Sequence, residues 1–194
     1  MARPLIYNVD VPSLEIRVFG DPVLRQVAKP VTEIDGKLSR LVDTMVETMY
    51  EAPGVGLAAN QIGIQKSLFV YDIGDGPQTV INPVIKESSG EWTYEEGCLS
   101  VPGLHWPIVR PNQVYLVGLD LDGNEISFEA DEYLGRVFQH EVDHLNGVLL
   151  LEHLDTDQRK EAMKILRERV SGTSLDQAES SNPVALHSPG TAGL

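Results

Sequence analysis

His140-Glu141-Val142-Asp143-His144 is the stretch around which the rest of the chain is organised. On a helix, residues four apart lie about one turn from each other, on one face. Two imidazoles so placed can grip one metal ion, with Glu141 beside it. A divalent ion lowers the pKa of its bound water to about 7, and a neighbouring carboxylate moves protons. The same five residues also suit an ordinary helix with two hydrogen-bonded histidines, so the surrounding segments have to decide.

The helical period extends outward from this stretch. Tyr133, Leu134, Val137, Phe138, Glu141 and Leu145 recur at helical spacing, Asp131 is the expected N-cap and Asn146-Gly147 the stop. Tyr133 and Val137 precede His140 by seven and three positions and are expected on the metal face. In the N-terminal half, Leu38, Leu41, Val42, Met45 and Met49 form a second stripe after Asp35, ended by Pro53-Gly54. Asp155 with Gln158 resembles a capping box before a third helix carrying Ala162, Met163, Ile165, Leu166 and Val170.

Between the helices the pattern is that of strands. Residues 67–73 read as a strand, 79–81 and 84–86 as two short strands broken at Asn82-Pro83, and 92–95 as another. A Pro-rich loop with Pro102, Pro107 and Pro111 is expected next. Val114, Leu116, Leu119 and Leu121 lead to an Asp122-Gly123 hairpin, and Ile126 and Phe128 alternate on the return. The fold class expected is α+β: largely antiparallel sheets packed around the central helix, with one helix in the N-terminal half and one at the C-terminal end. Residues 1–13 read as an extended arm, 14–172 as one domain, and the Ser-, Pro- and Gly-rich 173–194 as a disordered tail.

Composition sets limits on function. The 194 residues are 42% hydrophobic and 23% charged, as in an ordinary globular domain. A net charge of −14 argues against a dedicated nucleic-acid binder and against anionic membranes. No apolar run approaches the ~18 residues that span a bilayer, and the start shows no apolar signal core, so the expected location is the cytoplasm. Cys98 is the sole cysteine, which rules out an intrachain disulfide.

A catalytic metal usually keeps three protein ligands and an open position. The metzincin pattern would put a third His at 150, which is Leu. Glu152, Glu161 and Glu168 are available as in other zincins, at a helix boundary or on a charged face. Cys98 is the strong candidate, since thiolate suits a borderline or soft cation; its alternative is an inert buried thiol. His105 and His153 are weaker candidates.

Three segments together resemble the peptide deformylases. They are Gly54-Val55-Gly56-Leu57-Ala58-Ala59-Asn60-Gln61, Glu96-Gly97-Cys98-Leu99-Ser100 and Gln139-His140-Glu141-Val142-Asp143-His144. Gly20-Asp21-Pro22-Val23-Leu24-Arg25 also looks like the family's N-terminal stretch, and the likeness runs over residues 16–170. The resemblance implies a hydrolase that removes the N-formyl group from formylmethionine at the start of new bacterial polypeptides and releases formate. It implies Cys98, His140 and His144 as metal ligands, a metal-bound water as attacking group, and Glu141 as general base. Gln61 and the Leu99 backbone N–H would hold the oxyanion. Backbone around Val55, Gly56 and Gly97 would pair with the substrate. Val55, Tyr133 and Val137 are candidates for the wall of the methionine pocket. The family favours Fe2+ in the cell; the donor set also admits Zn2+, Co2+ or Ni2+.

Partners follow from that implication. They are N-formylmethionyl nascent peptides, with neither DNA nor a membrane. The Thr156–Val170 segment, with Arg159, Lys160, Lys164, Arg167 and Arg169, is a candidate ribosome contact or else a solvated face. His105 and Arg110 are candidates for contacting substrate residues beyond the first. The alternatives to a deformylase are a zincin-type metallopeptidase and a closed structural metal site.

Overall fold

Asp35 opens the first helix in the computed structural model, which describes residues 13–170. Its side chain accepts from the N–H groups of Lys37 and Leu38, two donors that a helix start leaves free. Helix α1 (Gly36–Glu51) then buries Leu38, Val42, Met45, Val46 and Met49. Seven strands follow: β1 (Gly56–Ala58), β2 (Leu68–Tyr71), β3 (Gln78–Ser89), β4 (Trp92–Cys98), β5 (Val101–Arg110), β6 (Gln113–Leu119) and β7 (Glu125–Asp131). Helix α2 (Glu132–Leu145), a 3-10 turn (Leu150–His153) and helix α3 (Thr156–Val170) complete the fold. The fold is α+β. The expectations for residues 1–13 and 173–194 fall outside the described residues, Ser13 excepted.

Strands β1-β2-β3-β6-β7 form one sheet in that order, β4 and β5 form a separate ribbon, and all these pairings are antiparallel. Alternation along β2 explains the layering. Leu68 and Val70 pack with α1, while Phe69 and Tyr71 pack with Phe138 of α2. The ring of Phe138 lies 5.9 Å from that of Phe69 and 5.1 Å from that of Tyr71. The sheet is therefore sandwiched, and α2 is pinned on one face with its motif turned towards the β1 edge. The β4–β5 ribbon packs its own cluster, with Val101 and Ile108 against Leu150, Leu151, Leu154, Ala162 and Leu166.

Two strand expectations need correction. Residues 79–81 and 84–86 belong to one strand, β3, which bulges at Asn82-Pro83 where the register with β6 shifts. Asn82 adopts φ 51, a conformation Asn tolerates, and its amide replaces the missing ladder bonds by accepting from Val31 N and donating to Val31 O. The expected Pro-rich loop is strand β5. Its Pro102 and Pro107 lie in a two-stranded ribbon whose outer edge needs no N–H donor.

The ends of α2 differ from each other. Asp131 occupies the N-cap position but makes no side-chain cap bond. Gly147, at φ 73, follows the C-cap, and a Cβ there would lie 2.6 Å from the Arg25 carbonyl oxygen. Gly147→Ala combines left-handed strain with a backbone collision. It is expected to lower stability by about 1–3 kcal/mol, read as a lower urea midpoint at unchanged m.

Candidate active site

Strand β4 ends in Glu96-Gly97-Cys98, and α2 carries His140, Glu141 and His144 on the turn facing it. The Cys98 sulfur lies 3.2 Å from His144 Nε2, and one ligand atom from each of Cys98, His140 and His144 falls within 4.8 Å of the others. All three residues are buried. One soft thiolate and two imidazoles form a donor set that suits Zn2+, Fe2+ and similar ions.

The charges at this centre favour a ligating thiolate. Burial alone would push the Cys98 thiol up. The neighbouring imidazoles of His144 and His140 outweigh it, and the thiol falls to about 5. Glu141 moves the other way: burial pushes it up to about 7, against the pull of His140 and His144. Its Oε2 is buried without a hydrogen-bond partner, an atom left free for proton transfer. Its Oε1 lies so near the Gly56 α-carbon that a Cβ there would come within 2.3 Å.

Cys98, His140 and Glu141 line a cavity of about 20 Å³ together with Gly54, Val55, Gly56, Gln61, Gly97 and Leu99, and His144 lies behind Cys98. That is room for a water-sized group. Gln61 comes from the 3-10 turn Ala59–Ile62, which directly follows β1. The Gln61 Oε1 accepts from Ala58 N at 2.8 Å, and its Nε2 donates to Ser100 Oγ at 3.2 Å. The amide is thereby oriented, with its second N–H available to the cavity. Tyr133 and Val137 do not line this cavity. They pack in the apolar cluster beside it, which Val55 also touches; Val137 is fully buried and Tyr133 stacks edge-on with Tyr94.

Behind the centre is a charged network that spacing does not reveal. Glu96 is fully buried and accepts from Arg110 Nε (2.8 Å) and Nη2 (3.1 Å), from Arg136 Nη1 (2.7 Å), and contacts His140 Nδ1 at 3.1 Å. Burial would raise its carboxyl, but the His140 hydrogen bond and the Arg110 charge hold it well below the usual carboxylate range. A carboxylate on Nδ1 fixes the imidazole tautomer, leaving Nε2 for the metal. Arg110 also donates to Asp143 at 2.6 Å, and Asp143 meets His153 Nε2 at 2.7 Å. Arg136 adds bonds to the carbonyls of Ile108 and Trp92.

These contacts correct three sequence expectations. Arg110 is buried and ion-paired, so it is not free to contact a substrate. His153 belongs to the Asp143 ion-pair network. Glu152 is held by Arg25 at 2.8 Å and Arg159 at 2.6 Å, away from the trio, which removes it as a zincin-type ligand. His105 is half-buried on β5 opposite Gly97. Sequence reasoning missed the contacts of Glu96, Arg136 and Ser100. The available signal was Glu96 itself, an acid two positions before the candidate ligand Cys98, since a histidine that binds a metal usually has a carboxylate or carbonyl partner on its other nitrogen.

The polypeptide deformylase family model matches residues 13–160. The chain belongs to that family. It is 51% identical over 144 residues to the peptide deformylase of Halothermothrix orenii, covering 73% of this chain and 94% of the relative. Identity to the peptide deformylase of Hydrogenovibrio crunogenus is 44% over 161 residues, covering 81% and 95%. Among solved structures, a peptide deformylase from Legionella pneumophila matches at 38% identity with a TM-score of 0.79, covering 84% of this chain and 99% of that one. The Thermotoga maritima peptide deformylase matches at 47% identity with a TM-score of 0.73, covering 74% and 99%. This is therefore a metal-dependent deformylase, acting on the N-formyl group of nascent peptides, and its α+β fold is that of its solved relatives. No helix among the described residues is long and apolar enough to cross a membrane.

Proposed function

We propose that Cys98, His140 and His144 hold one divalent ion, Fe2+ in the cell, and that the residues around them hydrolyse the formyl group of formylmethionyl chain ends. The observation that carries this reading is the convergence of three ligand atoms within 4.8 Å beside Glu141 and Gln61. Held by these residues, a divalent ion would supply Lewis acidity, which makes water nucleophilic at neutral pH. Glu141 takes the proton from the attacking water as the new carbon–oxygen bond forms. It returns that proton to the amine nitrogen as the carbon–nitrogen bond breaks, so formate and a free amino terminus leave. Charge growing on the formyl oxygen would be met by Gln61 Nε2, oriented by the bonds of its amide to Ala58 and Ser100, and by the Leu99 N–H.

The substrate reading follows from the same cavity. Strand β1 is an edge strand, and Val55, Gly56 and Gly97 offer backbone to an extended peptide. Backbone pairing gives affinity without reading sequence, which suits an enzyme acting on many chains with one shared first residue. Val55, with Tyr133 and Val137 behind it, forms the apolar wall for the methionine side chain. The working location is the cytoplasm. Arg159, Lys160 and Arg167 lie beside Met163 on one face of α3, where a ribosome contact would form, although Arg159 and Lys160 are paired with Glu152 and Asp157. Ribosome co-sedimentation that is unchanged by charge reversal there would reject that contact.

Formate release from a formyl-Met peptide by metal-loaded protein tests the reaction. Turnover no higher than that of Glu141→Ala would overturn it. Gly56→Ala should lower kcat/KM by about 10²-fold, because the new Cβ displaces the Glu141 carboxylate. Steady-state kinetics with the same peptide reads this effect, and the metal content should stay at one ion per chain.

A further inference from the structure

His140 and His144 differ in what lies behind them. His140 Nδ1 has the Glu96 carboxylate at 3.1 Å. His144 turns Nε2 towards the Cys98 sulfur, and its Nδ1 is buried with no hydrogen-bond partner. A neutral imidazole that ligates through Nε2 carries its proton on Nδ1. A buried N–H without an acceptor is unfavourable, so each such group calls for an explanation.

A second unpartnered atom lies in a residue already bonded to His144. Asn60 is fully buried, and its Nδ2 donates to the main-chain carbonyl of His144. Its own Oδ1 has no partner. Six buried side-chain polar atoms lack partners among the described residues, and two of them thus belong to one bonded pair. One is an acceptor and the other, in the ligating tautomer, a donor. Asn60 sits beside Gln61 in the turn Ala59–Ile62, so a single rigid turn reaches both the oxyanion donor and the second histidine.

We propose that Asn60 is the positioning residue of His144: its Nδ2 holds the His144 main-chain carbonyl, and its unpartnered Oδ1 becomes the acceptor of the ring Nδ1–H when His144 ligates through Nε2. This inference rests on the reading of His144 as a metal ligand. The amide does for His144 what the Glu96 carboxylate does for His140: it selects the tautomer and aims the Nε2 lone pair at the cation. A neutral amide does so without adding a further buried acid to a centre that already holds Cys98, Glu96 and Glu141.

Zn2+-loaded protein tests the proposal by two readouts, neither of them activity. In the wild type, proton–nitrogen NMR should show the His144 Nδ1–H as a slowly exchanging, hydrogen-bonded proton. In Asn60→Ala that proton should exchange rapidly, and the Zn2+ Kd from chelator competition should rise about 10–100-fold. Thr48→Val is the control for a merely structural loss. Thr48 is buried on α1 and bonds Thr44 O and Leu14 N; its loss should lower Tm with the Zn2+ Kd unchanged. A wild-type His144 that carries its proton on Nε2, or a freely exchanging Nδ1–H, overturns the proposal even if Asn60→Ala fails to fold. So does an Asn60→Ala protein whose Zn2+ Kd lies within twofold of wild type. If instead the wild type binds no Zn2+, or His144→Ala binds it as tightly, the ligand reading itself falls.

Discussion

Glu96→Ala is expected to destabilise the enzyme by about 3–5 kcal/mol, because it leaves buried charges without their partner. Arg110 is 5% exposed and Arg136 is fully buried, and both direct a guanidinium at this one carboxylate. Breaking one side of such a network is far worse than replacing the whole of it with apolar groups. The loss should appear as a lower urea midpoint. It should also weaken metal binding, since His140 loses the carboxylate on its Nδ1.

The pH dependence of stability gives an independent reading of the same network. The folded Glu96 carboxyl lies well below its ordinary range, and Asp143 is also lowered: burial opposes the shift, but the His153 hydrogen bond and the Arg110 charge outweigh it. In the unfolded chain these groups titrate at about 3.9–4.3. Their contribution is therefore fully present above that range and is withdrawn as pH falls below it. Wild-type stability should fall steeply on acidification below about pH 4, and Glu96→Ala should show a shallower fall. Urea midpoints measured between pH 3 and pH 7 check this.

Glu141→Gln should lower kcat by about 10²–10⁴-fold while leaving one ion bound per chain. The substitution keeps the shape of a side chain that is 3% exposed and lies tight against Gly56. It removes only the ability to accept a proton, and it takes no donor from the trio of Cys98, His140 and His144. A fall in kcat with the metal retained separates a proton-transfer role from a ligand role. Equal loss of metal and activity would place Glu141 among the ligands instead.

Much of this architecture can be read along the chain wherever contacts are local. The stripe from Leu38 to Met49 and the Asp35 cap define α1, and the Asp155–Gln158 pair forms at the start of α3 as a capping box. The Asp122-Gly123 hairpin lies where its turn residues put it, with Gly123 at φ 82. Strand β5 was hidden because proline argues against strands in general, and only the ribbon's unpaired edge makes it tolerable. The β3 bulge was hidden because Asn82 is rescued by Val31, a partner 51 residues away.

The candidate site divides in the same way. His140 and His144 are one turn apart and legible from spacing. Cys98 lies 46 residues from His144; donor chemistry made it the strong candidate for a third ligand and the family resemblance implied it, but no spacing linked the two. Glu96 meets Arg136 across 40 residues, and Asn60 meets His144 across 84, with no periodicity to announce either pair. Tyr133 and Val137 share a helix with His140 and His144 but pack behind the cavity, because α2 also has to fill the core against β2 and β3.

X-ray absorption of Zn2+-loaded protein tests the central claim most directly. The account predicts one sulfur at about 2.3 Å and two imidazole nitrogens at about 2.0–2.1 Å, with one further light-atom position. A shell without sulfur, or one closed by four protein ligands, would contradict it.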